Sequence, residues 1–250
     1  MTAPVIEATD VVKFLGTGPG RVEAVKGVSL SLVGGELTLL MGPSGSGKTT
    51  LLSILGCMLS PTGGTVRILG RATAGAQPEE LAELRRKHVG FVFQFYHLFP
   101  TLTAEENVRI ALDVCGERGQ PARVKAATAL TTVGLAHKAK AFPRELSAGE
   151  QQRVAIARAI VGQASAILAD EPTAALDGSN GHAIMSMLSA IAKDPSRAVL
   201  VVTHDPRLLP FADRIVRLEE GRIVSEEQCA VRHESMSDEV GPPLARQPRA

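Results

Sequence analysis

Residues 42–50 read GPSGSGKTT, in which Gly42, Gly45 and Gly47 are interleaved with Ser44 and Ser46 and followed by Lys48, Thr49 and Thr50. Glycines at this density let a backbone turn its N–H groups toward one centre, a concavity that suits phosphate oxygens. The spacing is G-x-x-x-x-G-K-[ST], and both flanks fit it. The apolar run ELTLLM at 36–41 predicts a buried strand before the loop. Leu51, Leu52, Ile54, Leu55, Met58 and Leu59 keep helical spacing and predict a helix over 48–59 after it. The N-terminus of that helix adds partial positive charge. Lys48 is expected to reach the β and γ phosphates of a nucleoside triphosphate, and the Thr49 hydroxyl to ligate Mg²⁺.

A second chemical feature is AILADE at 166–171, an apolar strand that ends in two carboxylates. In an open parallel sheet, ligands sit beyond the C-terminal strand ends, so Asp170 and Glu171 are expected beside the phosphates. Asp170 suits a Mg²⁺ ligand, direct or through water. Glu171, one residue on, suits a general base that polarises the attacking water. A third is LSAGE at 146–150, just before QQRVAIARAI. Ser147 with Glu150 three residues later is a capping box. The same Ser147 and Gly149 at a helix N-terminus also suit a second anion site, for a γ-phosphate presented by another subunit.

The elements around these features alternate. Strands are predicted over 5–12 and 28–33, separated by the turn GTGPG, then over 36–41, 65–69, 89–93, 167–169 and 199–203, with a hairpin over 214–224. Helices are predicted over 79–87, 104–114, 122–133, 148–161 and 180–192. Alternation of this kind implies an α/β fold with a parallel sheet covered on both faces. The helical stretch near 95–160 interrupts it as an inserted lobe, leaving a core of residues 1–94 and 161–224. The last residues, 225–250, are polar and read as a mobile tail.

Composition bounds the function. The chain has 250 residues, 44% of them hydrophobic, and a net charge of +1, which gives no support to nucleic-acid binding by phosphate neutralisation. Cys57, Cys115 and Cys229 lack metal-ligand or redox spacing and suit a reducing compartment. No signal peptide and no membrane span are expected, so a membrane role has to come through a partner.

Taken together, these stretches resemble the ATP-binding subunit of an ABC transporter. GPSGSGKT is similar to the Walker A loop, LSAGE to the signature and ILADE to Walker B; Gln94 matches the Q-loop glutamine, AALD ending at Asp177 the D-loop, and His204 in VVTHD the switch histidine. The stretches HVGFVFQFYHLFPTLTAEENV and LADEPTAALD resemble the lipoprotein-release and macrolide-exporter subfamily more closely. The resemblance implies a P-loop NTPase (RecA-like) core with an N-terminal antiparallel β part, and a single ATPase domain over residues 1–224. It implies ATP with Mg²⁺ in a head-to-tail dimer, where Ser147, Gly149 and Asp177 act on the other copy's nucleotide. Gln94 would sense Mg²⁺ and His204 would contact the γ-phosphate. It also implies a separate membrane permease docking near residues 94–100 on the inner face of the cytoplasmic membrane, and no nucleic acid. Phe95, Tyr96, Leu98, Phe99 and Pro100 would be either core or that docking patch. The alternative is a regulatory ATPase of a membrane scaffold such as a cell-division complex, with a soluble nucleic-acid-associated ATPase less favoured.

Two positions depart from the pattern. Ala148 replaces the first glycine of the signature; a positive φ there would strain it by about 1 kcal/mol, whereas helical geometry would tolerate it. Leu15, preceded by Phe14, stands where an aromatic ring usually stacks on adenine.

Overall fold

A computed structural model describes residues 3–229. Six strands form one sheet: β3 (Leu37–Met41), β6 (Val89–Val92), β7 (Ala166–Asp170), β8 (Ala198–Thr203), β9 (Arg214–Glu219) and β10 (Arg222–Gln228), in the order β10-β9-β3-β8-β7-β6. All pairs are parallel except β9 with β10. A second, antiparallel sheet has the order β2-β1-β4-β5, from β1 (Ile6–Leu15), β2 (Val22–Leu32), β4 (Gly63–Ile68) and β5 (Arg71–Ala72).

The strand period of two sends alternate side chains of the parallel sheet into two cores. Leu37, Leu39 and Met41 face the same side as Ile167, Ala169, Val199 and Val201. There they share one core with the helices α3 (Ala104–Val114), α4 (Gly119–Thr132), α5 (Ala148–Ile160) and α6 (Gly178–Ala192), of which α5 and α6 lie against the strands while α3 and α4 pack on α5. Leu40, Leu168, Leu200 and Val202 face the other side, where they meet α1 (Lys48–Leu55) and the antiparallel sheet. Both faces are covered, which is why these strands read as unbroken apolar runs. The last helix, α2 (Pro78–His88), runs into β6.

Asn107, fully buried on α3, fastens the segment that leads into its own helix. Its Nδ2 donates to the carbonyls of Phe99, Leu102 and Thr103 at 3.1, 2.9 and 3.0 Å, and its Oδ1 accepts from the Phe99 amide at 2.7 Å. Arg214 at the start of β9 ties the two sheets together. It donates to Glu36 at 2.6 Å, to Glu226 of β10 at 2.7 Å and to the Ser31 carbonyl of β2.

The structure corrects several boundaries. β1 runs to Leu15 and β2 starts at Val22, because register shifts after Ala8, Val11 and Lys13 break the alternation that marks a strand. α1 stops at Leu55, not residue 59: Cys57 takes a left-handed φ of 56°, and a Cβ on Gly56 would stand 1.9 Å from the Phe91 ring. β10 continues to Gln228, four residues into the stretch assigned to the polar tail. It is an edge strand with mostly exposed side chains, so it carries no apolar pattern. The rest of the expected tail, residues 230–250, lies outside the described residues.

Candidate nucleotide site

The loop after β3 is shaped by contacts that only glycine permits at two points. Gly42 has φ of 153°, and a Cβ there would stand 2.0 Å from the Leu218 carbonyl. Gly47 has φ of 101°, and its Cβ would meet the Ala24 carbonyl at 2.3 Å. Gly47 is also the N-cap of α1 and supplies no capping side chain, so the first amides of that helix are left to an outside acceptor. Lys48 is buried and bends over the loop, donating to the carbonyls of Gly42 at 2.8 Å and Pro43 at 2.7 Å. Burial pulls its pKa down, while Glu171 and Asp170 act to raise it. The Ser46 hydroxyl is buried within the loop with no protein partner.

The carboxylates arrive from β7. Asp170, its last residue, accepts from the Thr49 hydroxyl at 3.2 Å. Burial pushes the Asp170 carboxyl above the usual range, and the charge of Glu171 adds to that; the Thr49 bond and Lys48 oppose it. Glu171 turns out of the strand at a left-handed φ of 46°, its amide donating to the Val202 carbonyl at 3.0 Å. Its Oε1 lies 2.7 Å from Nδ1 of His204, which follows β8.

One cavity of about 1050 Å³ is lined by Lys48, Thr49, Glu171 and His204 among these groups, and Asp170 adjoins it through its bond to Thr49. Ser44, Gly45, Gly47, Lys48, Thr49 and Thr50 form its floor, with Gln94, Glu171 and His204 on one wall. Leu15 and Val22 add an aliphatic part to its lining. The Phe14 ring is occupied elsewhere, under the Arg21 guanidinium at 3.8 Å. Ala24 and Lys26 of β2 and the turn at Glu220 and Gly221 complete the rim. That turn buttresses the loop: Gly221 donates to the Ser46 carbonyl at 3.0 Å and accepts from the Lys26 amide at 2.8 Å. Sequence reasoning missed these positions because backbone, not residue type, does their work.

The residues present fit both a phosphate chain and a divalent cation. The uncapped helix end, the unpartnered Ser46 hydroxyl and the Lys48 amine match an anionic phosphate chain. Thr49 and Asp170, in mutual contact, offer the hard oxygen donors that Mg²⁺ takes in ones and twos alongside phosphate oxygens.

Three expected site residues lie away from this cavity. Ser147 is the N-cap of α5, its Oγ accepting from the Glu150 amide at 3.2 Å while Glu150 accepts from the Ser147 amide at 2.8 Å. The capping box is therefore formed. Gly149 is buried against α6, where a Cβ would stand 2.7 Å from Oδ1 of Asn180. Asp177 caps α6, accepting from the Asn180 amide at 2.9 Å and the Ser179 hydroxyl at 2.8 Å; these bonds hold its carboxyl down at about 2. Ala148 is the first residue of α5 and helical, so the strain that a positive φ would have brought does not arise. In the segment after Gln94, Leu98 packs into the core, while Phe95 is 67% and Phe99 48% exposed.

Comparison with known proteins places this geometry. The chain is 41% identical over 221 residues to the macrolide export ATP-binding/permease protein MacB of Shigella flexneri, a match covering 88% of this chain and 34% of that protein. Identity and coverage are the same for MacB of Escherichia coli K12. The chain thus spans about a third of the length of these curated relatives. Among solved structures it is similar to the ATP-binding cassette MJ0796, dimeric in a post-hydrolysis state with ADP and Pi, at 40% identity and a TM-score of 0.81, over 89% of this chain and 98% of that one. It is also similar to cbiO1 of Clostridium perfringens, part of the transporter complex cbiONQ, at 25% identity and a TM-score of 0.80, over 90% and 88% of the two chains. The sequence pattern of the ABC transporter family matches residues 25–174. With fold, loop and acidic pair in agreement, the chain belongs to the ABC transporter family, as an ATPase cassette of that family.

Proposed function

We propose that two copies of this chain bind ATP on the 42–50 loops, close head to tail on it, hydrolyse it and reopen, and that the cycle energises a membrane export or lipid/lipoprotein-extraction assembly. The observation that carries the reading is the convergence of Lys48, Thr49, Glu171 and His204 on one cavity, with Asp170 bonded to Thr49 at its floor.

In this reading the loop amides and Lys48 hold the β and γ phosphates. Thr49 and Asp170 hold Mg²⁺, with Gln94 as a further oxygen donor; bound there, Mg²⁺ neutralises phosphate charge. Glu171 takes the proton of the attacking water. His204 keeps the Glu171 carboxylate in place through Nδ1 and offers its ring to the γ-phosphate side. Leu15 and Val22 give the base an aliphatic surface without ring stacking. Ser147, Gly149 and Asp177 serve the nucleotide held by the second copy, since none of them lines the cavity of its own chain.

Among the described residues no helix is long and apolar enough to cross a membrane. In this reading a membrane permease docks on the exposed Phe95 and Phe99 near Gln94, with the cassette on the cytoplasmic face. The test is Glu171→Gln in the purified chain. Hydrolysis should fall about 100-fold or more, with ATP binding retained and an ATP-dependent dimer visible by size-exclusion chromatography. Hydrolysis at the wild-type rate would remove Glu171 from the mechanism.

A further inference from the structure

Gln94 sits in a tight turn just after β6, and the turn closes by a bond from the Tyr96 amide to the Phe93 carbonyl at 3.2 Å. Tyr96 and His97 then both take left-handed backbone, with φ of 59° and 46°. Neither is a glycine, so each conformation is strained and persists only if the surroundings impose it. The two residues turn successive carbonyls toward α5. Arg158, in the last turn of that helix, meets them with both ends of its guanidinium: Nη1 donates to the His97 carbonyl at 2.5 Å and Nη2 to the Tyr96 carbonyl at 2.7 Å. Burial alone acts on the Arg158 pKa, pulling it down, with no carboxylate contributing. A partly buried cation committed to two backbone carbonyls is a costly way to fasten a loop unless the loop's place matters. The planar fork fixes direction as well as distance, which a lysine cannot do.

We propose that Arg158 is a positioning residue for the nucleotide site, acting through Gln94. It locks the turn that sets Gln94 on the cavity wall to α5, the helix that Ser147 caps and that carries Gly149 in its first turn. Arg158 lies eleven positions beyond Ser147 along one continuous helix, about 16 Å of stiff rod. A shift of α5 toward a second copy therefore carries the Gln94 turn with it. The two halves of a composite site, the wall at Gln94 and the helix end offered to the partner copy, move as one body. This rests on the reading that Gln94 acts in the site.

The test is a double-mutant cycle on ATP hydrolysis by the full chain with saturating Mg²⁺ and ATP, using Gln94→Ala, Arg158→Met and their combination. Each single variant should lower kcat about tenfold, and the double variant should fall no further than the worse single. Arg158→Lys, which keeps the charge and loses the fork, should recover only a small part. It carries the cycle if Arg158→Met does not fold. Losses that multiply to about 100-fold in the double variant would mean that Arg158 acts independently of Gln94 and would overturn the proposal, as would wild-type kcat in Arg158→Met. Wild-type kcat in Gln94→Ala alone would remove the underlying reading of Gln94, a failure seen without any Arg158 variant.

Discussion

Asp170 is held against its own ionisation. Burial and the neighbouring Glu171 raise its pKa above the ordinary 3.8. In the unfolded chain that penalty is absent, so between the two pKa values the folded state binds more protons, and stability falls as pH rises through that window. At neutral pH the whole penalty is present. Asp170→Asn should therefore raise the melting temperature of the nucleotide-free protein at pH 7, and the gain should shrink to nothing as pH falls below about 4. The same variant should lose Mg²⁺-dependent hydrolysis. Thermal melts of both proteins from pH 3.5 to 7.5 check the first expectation, and a gain that persisted below pH 4 would contradict it. The instability belongs to the site: a carboxylate unfavourable in the empty cassette becomes favourable when a cation arrives.

At the scale of elements, the segment between β6 and α3 is fastened at both ends, by Arg158 from α5 and by Asn107 from α3. Asn107 has no exposure and makes four bonds to backbone. Asn107→Leu keeps the volume and strands those backbone groups in an apolar surrounding, at a cost of about 3 kcal/mol or more. Urea unfolding should show this as a lower midpoint with unchanged slope. Neither clamp was legible in the sequence, because an Asn or Arg inside a helix carries no sign of the loop it will hold. The phosphate loop was legible for the opposite reason. Gly42 and Gly47 are set by carbonyls that leave no room for a Cβ, and Lys48 and Thr49 by their chemistry. The central strands were legible too, since burial on both faces demands unbroken apolar runs. β1 was read short because its bulges break the period, and β10 because an exposed edge strand has no period to break. Ser147 illustrates a third case. Its capping box was legible and is formed, and that bond says nothing against a further use of the same helix end.

Across the whole molecule, the cavity floor and the end of α5 belong to one chain but do not meet in it. Ser147 spends its hydroxyl on its own helix, and Gly149 faces α6, while the cavity that holds Lys48 and Thr49 stays open. If the missing wall is supplied by another copy, catalysis is second order in protein when the chain is dilute. Specific activity, usually a constant of an enzyme preparation, should then climb in proportion to concentration and level off only above the dissociation constant of the pair. A dilution series at saturating ATP checks this, and a flat line across a hundredfold range would mean a self-sufficient site. Where the climb is found, the turnover of a cell's pool of this chain becomes a matter of how closely copies are held together. Any scaffold that pairs two of them would switch hydrolysis on by proximity, without altering a single bond inside either one.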